Sequence, residues 1–195
     1  MEKIQVIIGW LFILFGTAAI INTIYQGNPP QILWICYSSL ILLGIGILTK
    51  NSLLTLSQMD IIMIPLIIWT IDFIFFLISG HSFFGIVDYF FQEGPLISKI
   101  ITLQHLFTVP LALLAVYITK IKTKRAWIVS FIQVSFIFLI TRLLTSPANN
   151  INCVYKSCIN FSFKHYSIMW FVTMFVIICT TNLMLSKIKI FKNKF

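Results

Sequence analysis

The chain is dominated by long apolar runs, and one of them contains a carboxylate. The stretch from Ile67 to Gly80 reads IIWTIDFIFFLISG, and Asp72 is its only charged residue. Runs of about 18 or more apolar residues are typical of transmembrane helices, because a helix of that length crosses the hydrocarbon core of a bilayer. An isolated carboxylate in that core is costly. Asp72 therefore needs a partner, and this need limits how the helices can pack.

The composition excludes a soluble domain. Hydrophobic residues make up 59% of the 195 residues and charged residues only 10%. A soluble domain is roughly 45–50% apolar and about a quarter charged. Because the apolar runs are continuous rather than alternating with polar residues, helices are favoured over membrane β-strands. The sequence predicts an all-α polytopic membrane protein, with one domain over residues 1–195.

Six transmembrane helices are predicted in this domain. The first is expected to be retained rather than cleaved as a signal peptide, because its apolar stretch is longer than the usual core of about 7–15 residues. The predicted spans are Ile4–Tyr25, Gln31–Leu48, Met59–Ser79, Ile100–Thr119, Ala126–Leu144 and Ser167–Ser186.

The net charge of +9 is explained by topology rather than by a nucleic-acid partner, and no such partner is predicted. Basic residues gather on the cytoplasmic side of membrane proteins. With both termini cytoplasmic, a multi-pass protein of the inner (cytoplasmic) membrane is predicted, and the lipid bilayer is its expected partner. The inner segments then hold Lys3, Lys50, Lys120, Lys122, Lys124, Arg125, Lys187, Lys189, Lys192 and Lys194, and the outer loops Lys99, Lys156 and Lys164.

This topology places ionisable residues of three helices near the outer surface. Asp72 and His105 fall about 8–10 Å below the outer ends of the third and fourth spans, at ~1.5 Å per residue. Arg142 lies in the last turn of the fifth span, and Trp69 shares a helix face with Asp72. We expect Asp72 to face the bundle interior and to pair with His105 or Arg142. A polar clamp that only holds the helices together is the alternative.

Hydroxyl groups fall at the same level. The second span contains WICYSSL, which places Ser38 and Ser39 about 8–12 Å deep. A serine beside a histidine that an aspartate orients is the arrangement of many hydrolases. Ser38, Ser39, His105 and Asp72 are therefore candidate catalytic residues. The alternative is that the serines bond to their own helix backbone, as most serines in membrane helices do.

Two outer loops are predicted to lie near this group. The first, GHSFFGIVDYFFQEGP, is rich in aromatic residues that suit the membrane interface, and it is either a lid or only an anchor. The second begins TSPANNINCVY, whose asparagine side chains either bind a polar head group or shape the loop. The candidate substrate-binding residues are Trp69, Arg142, Asn150 and Asn152.

The cysteines and histidines give no metal motif. Cys153 and Cys158 share the second outer loop, where they either form a disulfide, if that side is oxidising, or stay free. The three histidines match no metal-binding spacing, so neither a metal nor another cofactor is predicted.

Several segments resemble an uncharacterised bacterial family of small polytopic membrane proteins. They are WICYSSLILLGIGIL, IPLIIWTIDFI, FFGIVDYFF, LQHLFTVPLALL and TSPANNINCVY, with its NIN motif. More distantly, LQHLFTVPLALL is similar to the histidine helix of the androgen-induced membrane hydrolases. That resemblance implies cleavage of fatty-acid esters by a threonine and a histidine. Only the histidine carries over, onto His105, and Ser38 or Ser39 would have to replace the threonine.

Three functions remain open from the sequence. The first is an intramembrane hydrolase or acyl-transfer enzyme that acts on a lipid or small apolar substrate. The second is a protein that binds or transports a small solute or lipid. The third is a structural or accessory membrane protein. The oligomeric state is left open as well.

Overall fold

The computed structural model describes residues 2–119, 125–159 and 164–187. Within these residues the regular structure is entirely helical, as predicted. Two short 3-10 helices, Pro29–Leu33 and Ile151–Cys153, lie in connections. The α-helices are α1 (Glu2–Tyr25), α2 (Ile35–Leu48), α3 (Ser52–Ser79), α4 (Asp88–Phe91), α5 (Leu96–Thr102), α6 (Gln104–Thr119), α7 (Ala126–Leu144) and α8 (Tyr166–Lys187).

Five membrane-length segments occur in the described residues, where six were predicted. They are α1, α3, α7, α8 and the stretch Leu96–Thr119, which joins α5 to α6. The difference lies in the predicted span Gln31–Leu48. Pro29 and Pro30 begin a 3-10 helix there, and the α-helix that follows, Ile35–Leu48, has only 14 residues.

Part of the predicted topology lies outside the described residues. The connection between α6 and α7 and the C-terminal tail carry most of the basic residues that were assigned to the inner side. These are Lys120, Lys122, Lys124, Lys189, Lys192 and Lys194.

The central helix α3 contacts α2, α6, α7 and α8. It begins at Ser52 rather than at Met59, because the side chain of Asn51 accepts a hydrogen bond from the backbone N–H of Leu54 at 3.0 Å and so caps the helix. It ends at Gly80, which has a φ of 76° that favours glycine. Residues that the sequence suggested were outside the third span are therefore buried within it.

Helices α1 and α2 pack against each other through glycines. A Cβ atom on Gly44 would come within 2.5 Å of the carbonyl oxygen of Gly9. Small residues let two helix backbones approach closely, which is typical of helix pairs in membranes. This contact fixes α2 against α1 although α2 is short.

Candidate functional site

Asp72 is fully buried near the end of α3 and binds the loop that follows it. Its Oδ1 atom accepts hydrogen bonds from the backbone N–H groups of Phe83 and Phe84, both at 2.8 Å. Its Oδ2 atom accepts from the N–H groups of Ile86 at 2.9 Å and Val87 at 3.3 Å. An ionised carboxylate only accepts hydrogen bonds, and these four donors satisfy it without a cation. We refer to residues 80–95 as the aromatic loop.

The predicted partners of Asp72 bind elsewhere. Nδ1 of His105 lies 2.7 Å from the carbonyl oxygen of Thr102. Nη1 of Arg142 donates to the hydroxyl of Ser167 at 2.8 Å. The prediction that Asp72 pairs with either side chain is therefore wrong. The physical reason is that the aromatic loop folds back and turns four backbone N–H groups toward the carboxylate, which satisfy both of its oxygen atoms.

Trp69 lies at the centre of an aromatic cluster below this loop. Its ring centroid is 4.8 Å from that of His105 and 5.1 Å from that of Phe73. Its indole N–H donates to the hydroxyl of Tyr89 at 3.0 Å. The ring of Phe90 meets it edge-on at 6.3 Å. Trp69 therefore connects α3, α6 and the aromatic loop.

The imidazole of His105 is held in one tautomer. A carbonyl oxygen can only accept a hydrogen bond, so Nδ1 must carry the proton that it shares with Thr102. Nε2 then holds a lone pair and can accept a proton or a hydrogen bond. The helix is interrupted at Leu103, between α5 and α6, and His105 follows in the first turn of α6. Thr102 therefore takes the orienting role that the sequence analysis gave to Asp72.

The hydroxyl of Tyr89 lies near side chains of α2 and α5. The residue is half exposed, but its hydroxyl is turned inward and interacts with Thr102 as well as Trp69. Burial of the hydroxyl raises the pKa of Tyr89, and the hydrogen bond from Trp69 opposes this shift. The thiol of Cys36 and the phenol of Tyr37 also raise this pKa. The phenol of Tyr89 is therefore neutral and able to accept from Trp69.

The two candidate nucleophiles make no hydrogen bond to His105. The hydroxyl of Ser38 donates to the carbonyl oxygen of Ile35, at 3.1 Å, in its own helix. The hydroxyl of Ser39 is fully buried and has no hydrogen-bond partner within residues 2–119, 125–159 and 164–187. The catalytic roles of these serines stay a prediction.

The side chain of Asn152 connects distant parts of the chain. Its Oδ1 atom accepts from the backbone N–H of Ile35 at 2.8 Å. Its Nδ2 atom donates to the carbonyl oxygen of Leu33 at 2.7 Å and to the hydroxyl of Thr141 at 3.2 Å. Its own carbonyl oxygen accepts from the indole N–H of Trp170 at 3.0 Å. Asn152 therefore holds its loop against α2 and α7, and its substrate-binding role stays a prediction.

Asn150 shapes the same loop. Its Oδ1 atom accepts from the backbone N–H groups of Tyr155 and Lys156, both at 3.1 Å, and its Nδ2 atom donates to the carbonyl oxygen of Lys156 at 3.0 Å. A disulfide between Cys153 and Cys158 closes this turn. Of the two states that the sequence left open, the structure has the bonded pair.

A second buried carboxyl, which the sequence analysis missed, lies in the first half of α3. Asp60 is fully buried, and its Oδ2 atom accepts from Nδ2 of Asn182 at 3.1 Å. The third span was predicted to begin at Met59, so Asp60 seemed to lie at a helix end. The polar side chains that precede it, in SQMD, were the available signal.

Comparison with known proteins finds no matching family model, no matching curated protein and no matching solved structure. The described residues also contain no group of three or more histidine, cysteine, aspartate or glutamate side chains that could hold a metal ion. The site must therefore be interpreted from its own geometry.

Proposed function

We propose that this chain is an integral membrane protein with six membrane-crossing segments and both termini on the cytoplasmic side. The five long apolar helices support this proposal. The sixth segment would combine Pro29–Leu33 with α2, whose 14 residues span about 21 Å, so the residues before α2 would supply the rest of the bilayer core. Several large apolar side chains on the helix surfaces are more than half exposed, namely Ile7, Leu14, Ile78, Ile132 and Leu143.

The topology is testable by cysteine labelling in intact cells. We would replace Cys36 and Cys179 with alanine and place one new cysteine at Ser82 or at Lys192. A thiol reagent that does not cross the membrane should label the cysteine at Ser82 and not that at Lys192. Labelling of the cysteine at Lys192 in intact cells would contradict the proposed orientation.

The site that we propose is centred on His105 and Trp69 and binds one apolar ligand. The fixed tautomer of His105 carries this proposal, because Nε2 is left with a lone pair beside a buried indole ring. Such a group accepts a hydrogen bond from a hydroxyl or a protonated carboxyl. Small-molecule sites are mostly apolar with a few well-placed polar groups. The ligand class is therefore a lipid with a hydroxyl or acid group at its head, such as a fatty alcohol or a monoacylglycerol.

On this proposal the structure corresponds to a closed state, in which the aromatic loop is a lid. Phe90 and Phe91 pack on Phe73, with ring centroids 5.1 and 5.5 Å away. A ligand would replace these loop side chains. Two of the three glycines in the loop, Gly80 and Gly85, have φ angles of 76° and 78° that favour glycine. These residues are the expected hinges.

A photoreactive fatty alcohol with a diazirine in its chain tests the site. The purified protein in phosphatidylcholine nanodiscs is irradiated with the probe, and the modified peptides are mapped by mass spectrometry. We expect peptides that contain Trp69 and His105 to be modified and an excess of plain fatty alcohol to compete. His105→Phe keeps an aromatic ring on Trp69 but removes Nε2, so it should reduce the yield about ten-fold, the effect of losing roughly 1.4 kcal/mol.

The matched control is Trp10→Leu, since Trp10 lies on the exposed face of α1, away from the site. This variant should keep the wild-type yield. Modification spread over the lipid-facing helix surfaces, without competition by the plain alcohol, would contradict the proposed site.

An intramembrane hydrolase or acyl-transfer enzyme is the second candidate function, and one observation favours it. Thr102 orients His105 as an aspartate does in a catalytic triad, and no described residue forms a hydrogen bond with the hydroxyl of Ser39. In this reaction the oxygen of Ser39 would attack the ester carbonyl while Nε2 takes its proton. Nε2 would pass that proton to the departing alcohol, and water would release the acyl group.

A serine-reactive fluorophosphonate probe separates the two functions. An enzyme should be labelled, and the label should be lost in Ser39→Ala and in His105→Phe but kept in Ser38→Ala. A chain that takes up the fatty alcohol and is never labelled is a binding protein. Labelling that persists in Ser39→Ala would exclude this mechanism.

A further inference from the structure

Asp60 is buried in α3 with little compensation for a negative charge. It is fully buried and lies about 12 Å along the helix from Ser52, at ~1.5 Å per residue. Its Oδ1 atom has no hydrogen-bond partner in the described part of the chain. Its Oδ2 atom is 3.1 Å from Nδ2 of Asn182 and 3.4 Å from the hydroxyl of Ser130. Both of these neighbours are neutral.

The hydroxyl of Ser130 adds little to this carboxyl. It has one proton and three acceptors in reach: the carbonyl oxygen of Ala126 at 2.8 Å, that of Ser57 at 3.0 Å, and Asp60 at 3.4 Å. The proton goes to a nearer carbonyl, so Asn182 makes the one firm hydrogen bond to Asp60 that the described residues supply. Asp72, by contrast, has four donors. An ionised Asp60 would therefore be far less stable than an ionised Asp72.

We propose that Asp60, Ser130 and Asn182 form a site between α3, α7 and α8 that binds one monovalent cation, a proton or a sodium ion. The atoms at the site are hard oxygen donors: a carboxylate, a hydroxyl and the carbonyl oxygen of Ser57. A single carboxylate carries one negative charge, which one monovalent cation neutralises. A divalent ion would need further acidic ligands, and the described residues hold no cluster of three or more such side chains.

Gln58 and Gln133 lie beside this site and fix α3 against α7. Their side-chain amides exchange hydrogen bonds of 2.8 and 3.0 Å, and Gln58 also donates to the hydroxyl of Ser57 at 3.1 Å. These groups do not titrate. Among the described residues, the titratable side chains on the elements packed around this half of α3 are Lys50, Tyr117, Arg125, Cys179 and Lys187.

A carbodiimide tests the site in the purified full-length chain. Dicyclohexylcarbodiimide is apolar, reaches carboxyl groups inside a membrane protein, and adds to the protonated form to give a stable N-acylurea with no leaving group. Intact-mass and peptide mass spectrometry should find a label at Asp60 that decreases as the pH rises, because the carbodiimide adds to the protonated carboxyl. Asp60→Asn should abolish this label, whereas Asp88→Asn, which changes an exposed carboxyl, should keep it.

A comparison of a sodium salt with a sodium-free salt distinguishes the two candidate occupants, a sodium ion and a proton. If sodium is the occupant, sodium chloride should protect Asp60 from the carbodiimide relative to N-methylglucamine chloride of equal ionic strength. If a proton is the occupant, the two salts should give equal labelling at each pH. Protection by sodium identifies a sodium ion as the occupant, and equal labelling that still decreases with rising pH identifies a proton.

A second measurement does not depend on access of the carbodiimide. The melting temperature of the wild type should respond to pH or to sodium, and Asp60→Asn should remove that response while the protein stays folded. A label that is independent of both pH and sodium would overturn the proposal. So would the absence of any label together with identical melting responses of the wild type and Asp60→Asn.

Discussion

The indole N–H of Trp69 donates a hydrogen bond of 3.0 Å to the hydroxyl of Tyr89. Trp69 is buried in α3, and Tyr89 belongs to the aromatic loop. An indole N–H in apolar surroundings needs an acceptor, and this bond supplies one while it holds the loop against the rings of Trp69 and Phe73. The loop is therefore attached to α3 at two points, through Tyr89 and through Asp72.

Tyr89→Phe should destabilise the protein by about 1–3 kcal/mol, because it leaves the indole N–H of Trp69 buried without an acceptor. The change is measured as a shift of the unfolding transition in detergent. Tyr25→Phe is the matched control, since Tyr25 is 85% exposed at the end of α1 and its loss should leave the transition unchanged. Equal stability of the two variants would show that the Trp69 bond does not hold the loop.

Asp72→Asn should weaken the attachment of the loop more strongly. In the wild type, backbone N–H groups donate to both oxygens of the carboxylate. In the variant, the side-chain NH2 group takes the place of one oxygen, so the N–H groups on that side face another donor and lose their hydrogen bonds. The loss should be about 2–4 kcal/mol, since hydrogen bonds to charged groups contribute roughly 1.5–3 kcal/mol each. Limited proteolysis should then cut within residues 80–95. Glu93→Gln, in an exposed residue of the same loop, should neither destabilise the protein nor admit the protease.

Asn152→Ala should destabilise the whole bundle. It leaves the N–H of Ile35 and the carbonyl oxygen of Leu33 without their partners, and Asn152 has a φ of 54° that alanine adopts less readily. We expect a loss of about 2–4 kcal/mol in detergent unfolding. Asn149→Ala is the control, because Asn149 is exposed and its side chain bonds only Ser146 within the described residues. A stable Asn152→Ala variant would contradict the connecting role of this side chain.

The helices and the burial of Asp72 could be predicted from the sequence, because apolar runs and a lone carboxylate are visible in the order of residues. The partners of Asp72 could not. They are backbone N–H groups, which every residue except proline carries, so residue type gives no sign of them. Asp60 was missed for a different reason: the third span was placed from Met59 onward, whereas α3 begins at Ser52 and its first turns are buried.

The role of Asn152 needed the folded chain. Its side chain bonds the backbone of Ile35, which is 117 residues away in the sequence. The NIN motif identified the residue, but both a ligand-binding and a loop-shaping role fit an asparagine in a loop. The predicted second span is divided into a 3-10 helix and a short α2. This division also needed the folded chain, because it depends on how Pro29 and Pro30 turn the chain before α2.

The tautomer of His105 and its response to a ligand test the proposed site most directly. Nitrogen NMR of protein with 15N-labelled histidine reports the protonation of each imidazole nitrogen, and His105→Phe assigns the resonances by removing one set. The account predicts a neutral ring with the proton on Nδ1, and an Nε2 resonance that shifts when a fatty alcohol is added while those of His81 and His165 stay in place. A proton on Nε2, or an Nε2 resonance that saturating fatty alcohol leaves unchanged, would contradict it.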